Sequence, residues 1–157
     1  MYKIKGFFGP HEYLSNFFHA PMKGRVHVYP TNENFYQSIK VWYMDNPDWE
    51  LQEAIALAAT PNEAKKLGRS VQLSPAQRKL WDDKGRIEAM RAGLLTKFDQ
   101  HPDLKEKLIK TSPWYLEETN TWKDHFWGVD GYGQNVLGCM LMELRGFYIY
   151  GEKIGNV

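Results

Sequence analysis

Cysteine is almost missing: Cys139 is the single thiol in 157 residues. One thiol forms no intramolecular disulfide, so the fold does not rest on a disulfide framework, and a reducing compartment suits it. Long apolar runs are missing too. None approaches the roughly 20 residues that a membrane span needs, and the opening stretch MYKIKGFFG lacks the apolar core of a signal peptide. The expectation is a cytoplasmic protein with no membrane partner. An excess of one charge is also lacking: 20 Lys and Arg against 19 Asp and Glu leave a formal net charge of +1. So weak a field argues against broad coating of nucleic acid and leaves room for a local basic pocket. The histidines at positions 11, 19, 27, 101 and 125 show no short-range ligand spacing, so no metal is expected, and nothing calls for another cofactor. Internal repeats and low-complexity linkers are absent. The length suits one compact domain over residues 1–157, with 147–157 as a C-terminal tail that fits a strand, a lid or a frayed end. The oligomeric state is open.

Aromatic residues, in contrast, are plentiful: 15% of the chain, with six Trp and nine Tyr. They fill a core and leave rings over for a pocket that holds a planar ligand. Residues 2–30 carry strand-like material, around Tyr2–Phe8 and Val26–Tyr29, each stopped by turn residues. Helices then dominate. The spacing predicts them over about 33–44, 48–59, 61–68, 75–98 and 103–110, and from Asn135 to just before Gly146. Thr60-Pro61-Asn62-Glu63 is a capping box with proline at the first helical position, and Ser74-Pro75-Ala76-Gln77 repeats the device. Ile87, Met90, Leu94 and Phe98 recur at helical spacing and are expected in the core. A strand is expected at Trp114–Leu116, followed by a long ordered loop. The fold class is α+β: a mainly helical domain with a small β-element.

Several constellations carry possible chemistry. In a helix, Glu33, Tyr36, Gln37 and Lys40 form one polar stripe roughly 10 Å long, with Phe35, Ile39 and Trp42 as an apolar stripe towards the core. A carboxylate, an amide and an amine on one face suit the wall of a polar ligand site; the plainer reading is a solvated helix face. Gly128-Val129-Asp130-Gly131-Tyr132-Gly133-Gln134-Asn135-Val136-Leu137-Gly138 leads glycines into a helix N-terminus, where exposed amides favour an anion and Gly138 lets a ligand or another backbone come close. It is neither a Walker A loop nor a dinucleotide fingerprint, and as a lone feature a glycine-rich turn is as readily structural. Asp124-His125-Phe126-Trp127 supplies a second carboxylate for acid/base or oxocarbenium work, or merely a surface histidine and a buried indole. Arg69, after Gly68, grips a phosphate bidentately or sits on the surface. Cys139, with Leu141, Met142 and Leu144, reads as part of an apolar helix rather than as a nucleophile.

Taken in order, the motifs are distinctive: Phe8-Gly9, Tyr13-Leu14-Ser15-Asn16-Phe17, Tyr29-Pro30-Thr31-x-Glu33, Tyr36-Gln37-x-x-Lys40, Gly68-Arg69, Trp81, Lys97-Phe98, Asp124-x-x-Trp127-Gly128, Gly133-x-Asn135-x-Leu137-Gly138 and Leu141-Met142-x-x-Arg145. This series resembles the NADAR, or YbiA-like, family over nearly the whole chain. Asn34 stands where many relatives have His, and Val129 where a further glycine is common. The resemblance implies an α+β, mainly helical domain with N-glycosidase chemistry. The implied substrates are phosphorylated pyrimidine intermediates of riboflavin synthesis, or ADP-ribose joined through nitrogen to guanine, free or in modified nucleic acid. It places Lys40 as the proposed nucleophile, Glu33 and Asp124 as candidate carboxylates, and Asn16, Tyr36, Gln37, Arg69, Trp81, Trp127, Gly128, Asn135 and Gly138 as substrate contacts. Lys40 then either forms an imine with the opened sugar or binds phosphate while water attacks directly. The alternative from another class is a non-catalytic module that binds ADP-ribose or a related nucleotide.

Overall fold

The computed structural model describes residues 1–154, with side chains through Gly151. The architecture is α+β and mainly helical. The chain divides into two compact units, one made of Asn16–Gln100 and the other joining Met1–Ser15 to the chain from His101 onward.

Within Asn16–Gln100, strands β2 (Met22–Lys23) and β3 (Val28–Tyr29) form an antiparallel hairpin with Met22 opposite Tyr29. Helix α1 (Asn32–Lys40) follows, continued by a 3-10 turn at Val41–Tyr43. Then come α2 (Trp49–Ala56), α3 (Pro61–Arg69), α4 (Pro75–Leu80) and α5 (Arg86–Gln100). Helix α1 is the central element and packs against α2, α3 and α5. The starts of these helices are chemically marked. Thr31, Asp48, Thr60 and Ser74 each accept a hydrogen bond from the amide three residues on, each cap contributing about 1 kcal/mol. Val41, Ile55, Ala58, Ala64 and Val71 form one apolar core cluster of the unit. Met90, Leu94 and Phe98 of α5 are buried as expected, and Ile87 is half-buried.

Two departures from the sequence expectation have local causes. The helix expected over 75–98 is interrupted by a π-helical turn at Trp81–Gly85. The extra residue lets buried Trp81 sit between Tyr36 and Tyr43, with ring centroids 5.5 and 5.1 Å away. Gly85 is needed there, because a Cβ would lie 2.5 Å from the Tyr43 ring. Strand β2 went unrecognised because it is two residues long. Gln100 supplies its missing neighbour: its side chain accepts from the Lys23 amide at 2.7 Å and donates to the Lys23 carbonyl at 2.9 Å.

In the other unit, β1 (Lys3–Lys5) pairs in parallel with β4 (Tyr115–Glu117), Ile4 opposite Leu116. A 3-10 turn covers Gly9–Leu14, α6 covers Pro102–Lys110, and α7 covers Val136–Ile154. The last helix therefore does not stop before Gly146, and the expected tail is helical from 147 to 154; residues 155–157 lie outside the described residues. Leu141, Arg145 and Tyr148 continue one buried face past Gly146, so burial outweighs the roughly 1 kcal/mol that an interior glycine costs. The Arg145 guanidinium donates to Thr111 Oγ1 at 2.9 Å and to the Trp114 carbonyl at 2.8 Å, tying α7 to the turn after α6. Cys139 is exposed. No helix among the described residues is long and apolar enough to cross a membrane.

Lys97 of α5 is fully buried, with its ammonium 5.6 Å from the Phe18 ring and 5.4 Å from the Phe98 ring. Burial pushes its pKa from 10.5 down to about 7. Between those values the unfolded chain holds a proton that the folded chain does not. Stability therefore rises with pH across that window and is lost as pH falls to about 7. Urea unfolding should show a gain of about 2 kcal/mol between pH 7 and 9. Lys97→Met should flatten that rise and be the more stable protein at pH 6. A flat wild-type profile, or a variant weaker at pH 6, would mean that Lys97 is folded as a charged group.

Candidate functional site

Helix α1 is turned with its polar side inward. Asn32, Glu33, Asn34, Tyr36 and Ser38 are buried, whereas Phe35 and Ile39 are half-buried and Trp42 is exposed. This reverses the expected orientation of the apolar stripe. It also decides the reading of the polar stripe, which is no solvated face. The reversal is supported by hydrogen bonds to most of the buried groups, although Asn32 Oδ1 is buried without a partner. Thr31 Oγ1 donates to Asn34 Oδ1 at 2.7 Å and accepts from the Asn34 amide at 3.2 Å. Asn34 Nδ2 then donates to the carbonyls of Ile55 and Ala58, both at 3.1 Å, closing the end of α2. Asn32 Nδ2 donates to Asn16 Oδ1 at 2.8 Å, and the Asn16 carbonyl accepts the Glu33 amide at 3.0 Å. Asn16 thus holds the first turn of α1 through its own side chain and backbone.

On this face Gln37 Nε2 donates to Glu33 Oε1 at 2.8 Å and fixes the carboxylate one turn away. Lys40, a further turn on, donates to the Gly68 carbonyl at 3.2 Å. Burial, followed by the positive charge of Arg78, lowers the Lys40 pKa, and Asp82 partly opposes this. A larger neutral fraction is what an amine nucleophile requires. Gly68 is a packing requirement: a Cβ there would lie 2.0 Å from Gln37 Oε1. Arg69 follows it, exposed at the end of α3. Trp81 is buried against Tyr36 and Tyr43, so it backs the stripe rather than offering an open face for stacking. Glu33, Tyr36, Gln37, Lys40, Arg69, Trp81 and Asn16 therefore all belong to the Asn16–Gln100 unit.

The other expected positions, Asp124, Trp127, Gly128, Asn135 and Gly138, belong to the second unit. There Asp124 Oδ1 accepts the amides of Phe126 at 3.1 Å and Trp127 at 2.9 Å, an Asx turn that shapes the loop. Asn135, at φ +53°, is buried; it accepts from the Glu118 amide and donates to the Leu116 carbonyl and the Tyr115 hydroxyl. Gly138 admits another backbone rather than a ligand, since a Cβ would lie 2.2 Å from the Leu116 carbonyl; at Gly128 it would lie 2.3 Å from that of Glu118. The expectation of exposed amides before α7 is corrected. The amides of Gln134, Asn135, Val136 and Leu137 donate to the carbonyls of His125, Gly128, Phe126 and Trp127, which leaves them unavailable to a phosphate. His125 stacks on Tyr132 with centroids 4.1 Å apart.

The sequence reading missed Asn32 and Asn34 as site-shaping residues. For Asn34 the signal was there, since an asparagine beside a helix cap readily bonds to backbone; Asn32 instead bonds to the side chains of Asn16 and Met90, which lie far from it in sequence.

A family model described as the NADAR domain matches residues 6–147. N-glycosidase YbiA of Escherichia coli (strain K12) is 36% identical over 134 residues, covering 84% of this chain and 78% of that protein. The riboflavin biosynthesis protein PYRR, chloroplastic, of Zea mays is 35% identical over 139 residues, 85% of this chain but 21% of that longer protein. The NMR structure of the E. coli protein YbiA superposes with a TM-score of 0.79 at 30% identity, covering 98% of this chain and 88% of that one.

The Gly68–Gln37 contact gives a test of the site's construction. Gly68→Ala should destabilise the protein by about 1–3 kcal/mol through overpacking, measured by urea unfolding. Gln37→Ala in the same chain should recover most of that loss, because the colliding amide is gone. Strict additivity of the two substitutions would show that they do not meet.

Proposed function

The chain belongs to the NADAR domain family, and on that premise we propose that it is an N-glycosyl hydrolase whose substrate is a phosphorylated pyrimidine ribotide of the riboflavin pathway. The observation that carries this reading is Glu33 and Lys40 on the buried polar face of α1. The carboxylate is fixed by Gln37 and the amine has its pKa lowered. The relatives' names, N-glycosidase and riboflavin biosynthesis protein, support the reaction and the pathway. The near-zero net charge favours a free metabolite over nucleic acid.

In the proposed reaction the bond between ribose C1 and the base nitrogen breaks, and the base leaves with a proton. The Glu33 carboxylate stabilises the positive charge that develops at C1. Neutral Lys40 Nζ bonds to C1 as the base departs with one of the amine's protons; the ring C1–O bond then opens and takes the other, which leaves an imine without release of water. Water then hydrolyses the imine, which releases the sugar aldehyde and restores the amine. Arg69 takes the phosphate, a role that the satisfied amides before α7 do not fill. Asp124 shapes the loop of the second unit that carries Trp127, while Tyr36 and Trp81 wall the stripe.

Released base should be followed chromatographically with an aminopyrimidine ribotide and, in parallel, with guanosine carrying N-linked ADP-ribose. Lys40→Ala and Glu33→Gln should each reduce turnover by about 10²–10⁴-fold, and Arg69→Ala should mainly raise KM. Borohydride should trap a covalent adduct with the wild type and none with Lys40→Ala. The wild-type rate should rise with pH through a Lys40 pKa below 10.5. An adduct-free enzyme that still turns over would assign the attack to water. Release from the guanosine substrate alone would replace the pyrimidine by ADP-ribosyl-guanine. Saturable binding with no release from either would make this a binding module.

A further inference from the structure

The apolar side of α1 is the unexplained one. At 100° per residue, Phe35, Ile39 and Trp42 point roughly opposite to Glu33, Gln37 and Lys40, and they are not sealed by other helices. They line a cavity of about 580 Å³, bounded on its other sides by the turn Gly24–His27 of the β2–β3 hairpin and by Trp49, Gln52 and Glu53 of α2. Trp42 and Trp49 are 60% and 52% exposed, and their rings meet at 69° with centroids 4.8 Å apart. Tryptophan is highly buried on average, so two exposed indoles meeting at the mouth of one cavity are unusual. Tyr29 meets Phe35 edge-on at 5.2 Å, which continues the aromatic wall inward. The polar groups are few. Gln52 is 94% buried, with Oε1 3.1 Å from His27 Nε2. Arg25 and Glu53 add one charge of each sign among the lining residues.

We propose that this cavity is a second ligand site, separate from the polar face of α1, for an uncharged planar heteroaromatic ring of the free-base or nucleoside class. The volume falls within the roughly 300–1,000 Å³ of small-molecule sites. The two indoles offer faces and edges for stacking. The Gln52 amide, His27, Arg25 and Glu53 together offer both donors and acceptors, as the edge of a base requires. The balanced charges provide no track for a phosphate backbone, which argues against a nucleic-acid strand. The site stands on its own geometry and does not depend on the reaction proposed above.

Equilibrium dialysis of labelled guanosine and adenosine tests this without turnover. The wild type should bind at least one of them saturably. Trp42→Ala with Trp49→Ala should weaken binding by at least about fivefold, the loss expected for removing a stacking ring. Trp42→Phe with Trp49→Phe should restore most of it, which separates stacking from misfolding, and Lys40→Ala should leave it unchanged. No saturable binding of either nucleoside would overturn the proposal. So would an equal loss on Lys40→Ala, which would place the ring on the polar face. A dimer that depends on Trp42 and Trp49 in sedimentation, without nucleoside binding, would assign the cavity to a second copy of the chain instead.

Discussion

The structure of the Asn16–Gln100 unit depends on one constraint: α1 buries its polar side. Amides, a hydroxyl and a carboxylate removed from water must each be met, because an unsatisfied buried group costs about 1–3 kcal/mol and a satisfied one contributes only about 1. Asn34 meets this demand by reaching across to the last carbonyls of α2. Asn32 meets it in part, with Nδ2 bonded to Asn16 Oδ1 while its own Oδ1 is buried without a partner, and Gln37 meets it through Glu33. The bonds are short and directional, so they fix where α2, the entering chain and α3 lie against α1. Gly68 and Gly93 let the neighbours close in, since a Cβ at either would lie 2.0 Å from a side-chain oxygen of Gln37 or Asn32.

That constraint gives α1 two unlike faces and sets a use for each. The inward face holds a carboxylate and an amine on a rigid element, where supporting hydrogen bonds set their orientation. Desolvation on that face also lowers the Lys40 pKa. The outward face is left with apolar side chains that are only partly covered, Phe35 and Ile39 half-buried and Trp42 exposed. An amphipathic helix with the usual orientation would have put Phe35, Ile39 and Trp42 into the core and left Glu33 and Lys40 in water, with neither an aromatic cavity nor a perturbed lysine.

The second unit uses its special residues differently. Asn135 takes a left-handed backbone conformation that asparagine tolerates and bonds β4 at Tyr115 and Leu116 and, just past it, Glu118. Gly138 brings α7 onto Leu116, and the carbonyls of residues 125–128 consume the amides that lead into α7. A glycine-rich approach to a helix N-terminus is often an anion cradle; here the loop folds back and occupies the cradle itself. Recurrent polar and glycine positions in this segment therefore build the loop that presents Trp127.

Much of this was legible in the chain. The caps at Thr60 and Ser74, the helical class, the core run Met90–Leu94–Phe98 and the ordered motifs of the family are local features. Each is fixed by chemistry within a few residues, so the sequence determined them. The grouping of Glu33, Tyr36, Gln37 and Lys40 on one face also followed, because helical spacing alone imposes it. Which way that face points did not. Periodicity separates polar from apolar sides and assigns the apolar one to the core, and only partners distant in sequence reverse the choice: Ile55 and Ala58 for Asn34, Met90 and Asn16 for Asn32. The same holds for the helical course beyond Gly146, set by the burial of Tyr148, and for the amides before α7, consumed by residues 125–128. Local chemistry decided where helices begin and which residues share a side; tertiary structure decided which side is buried, because burial is a property of partners that a sequence window does not contain.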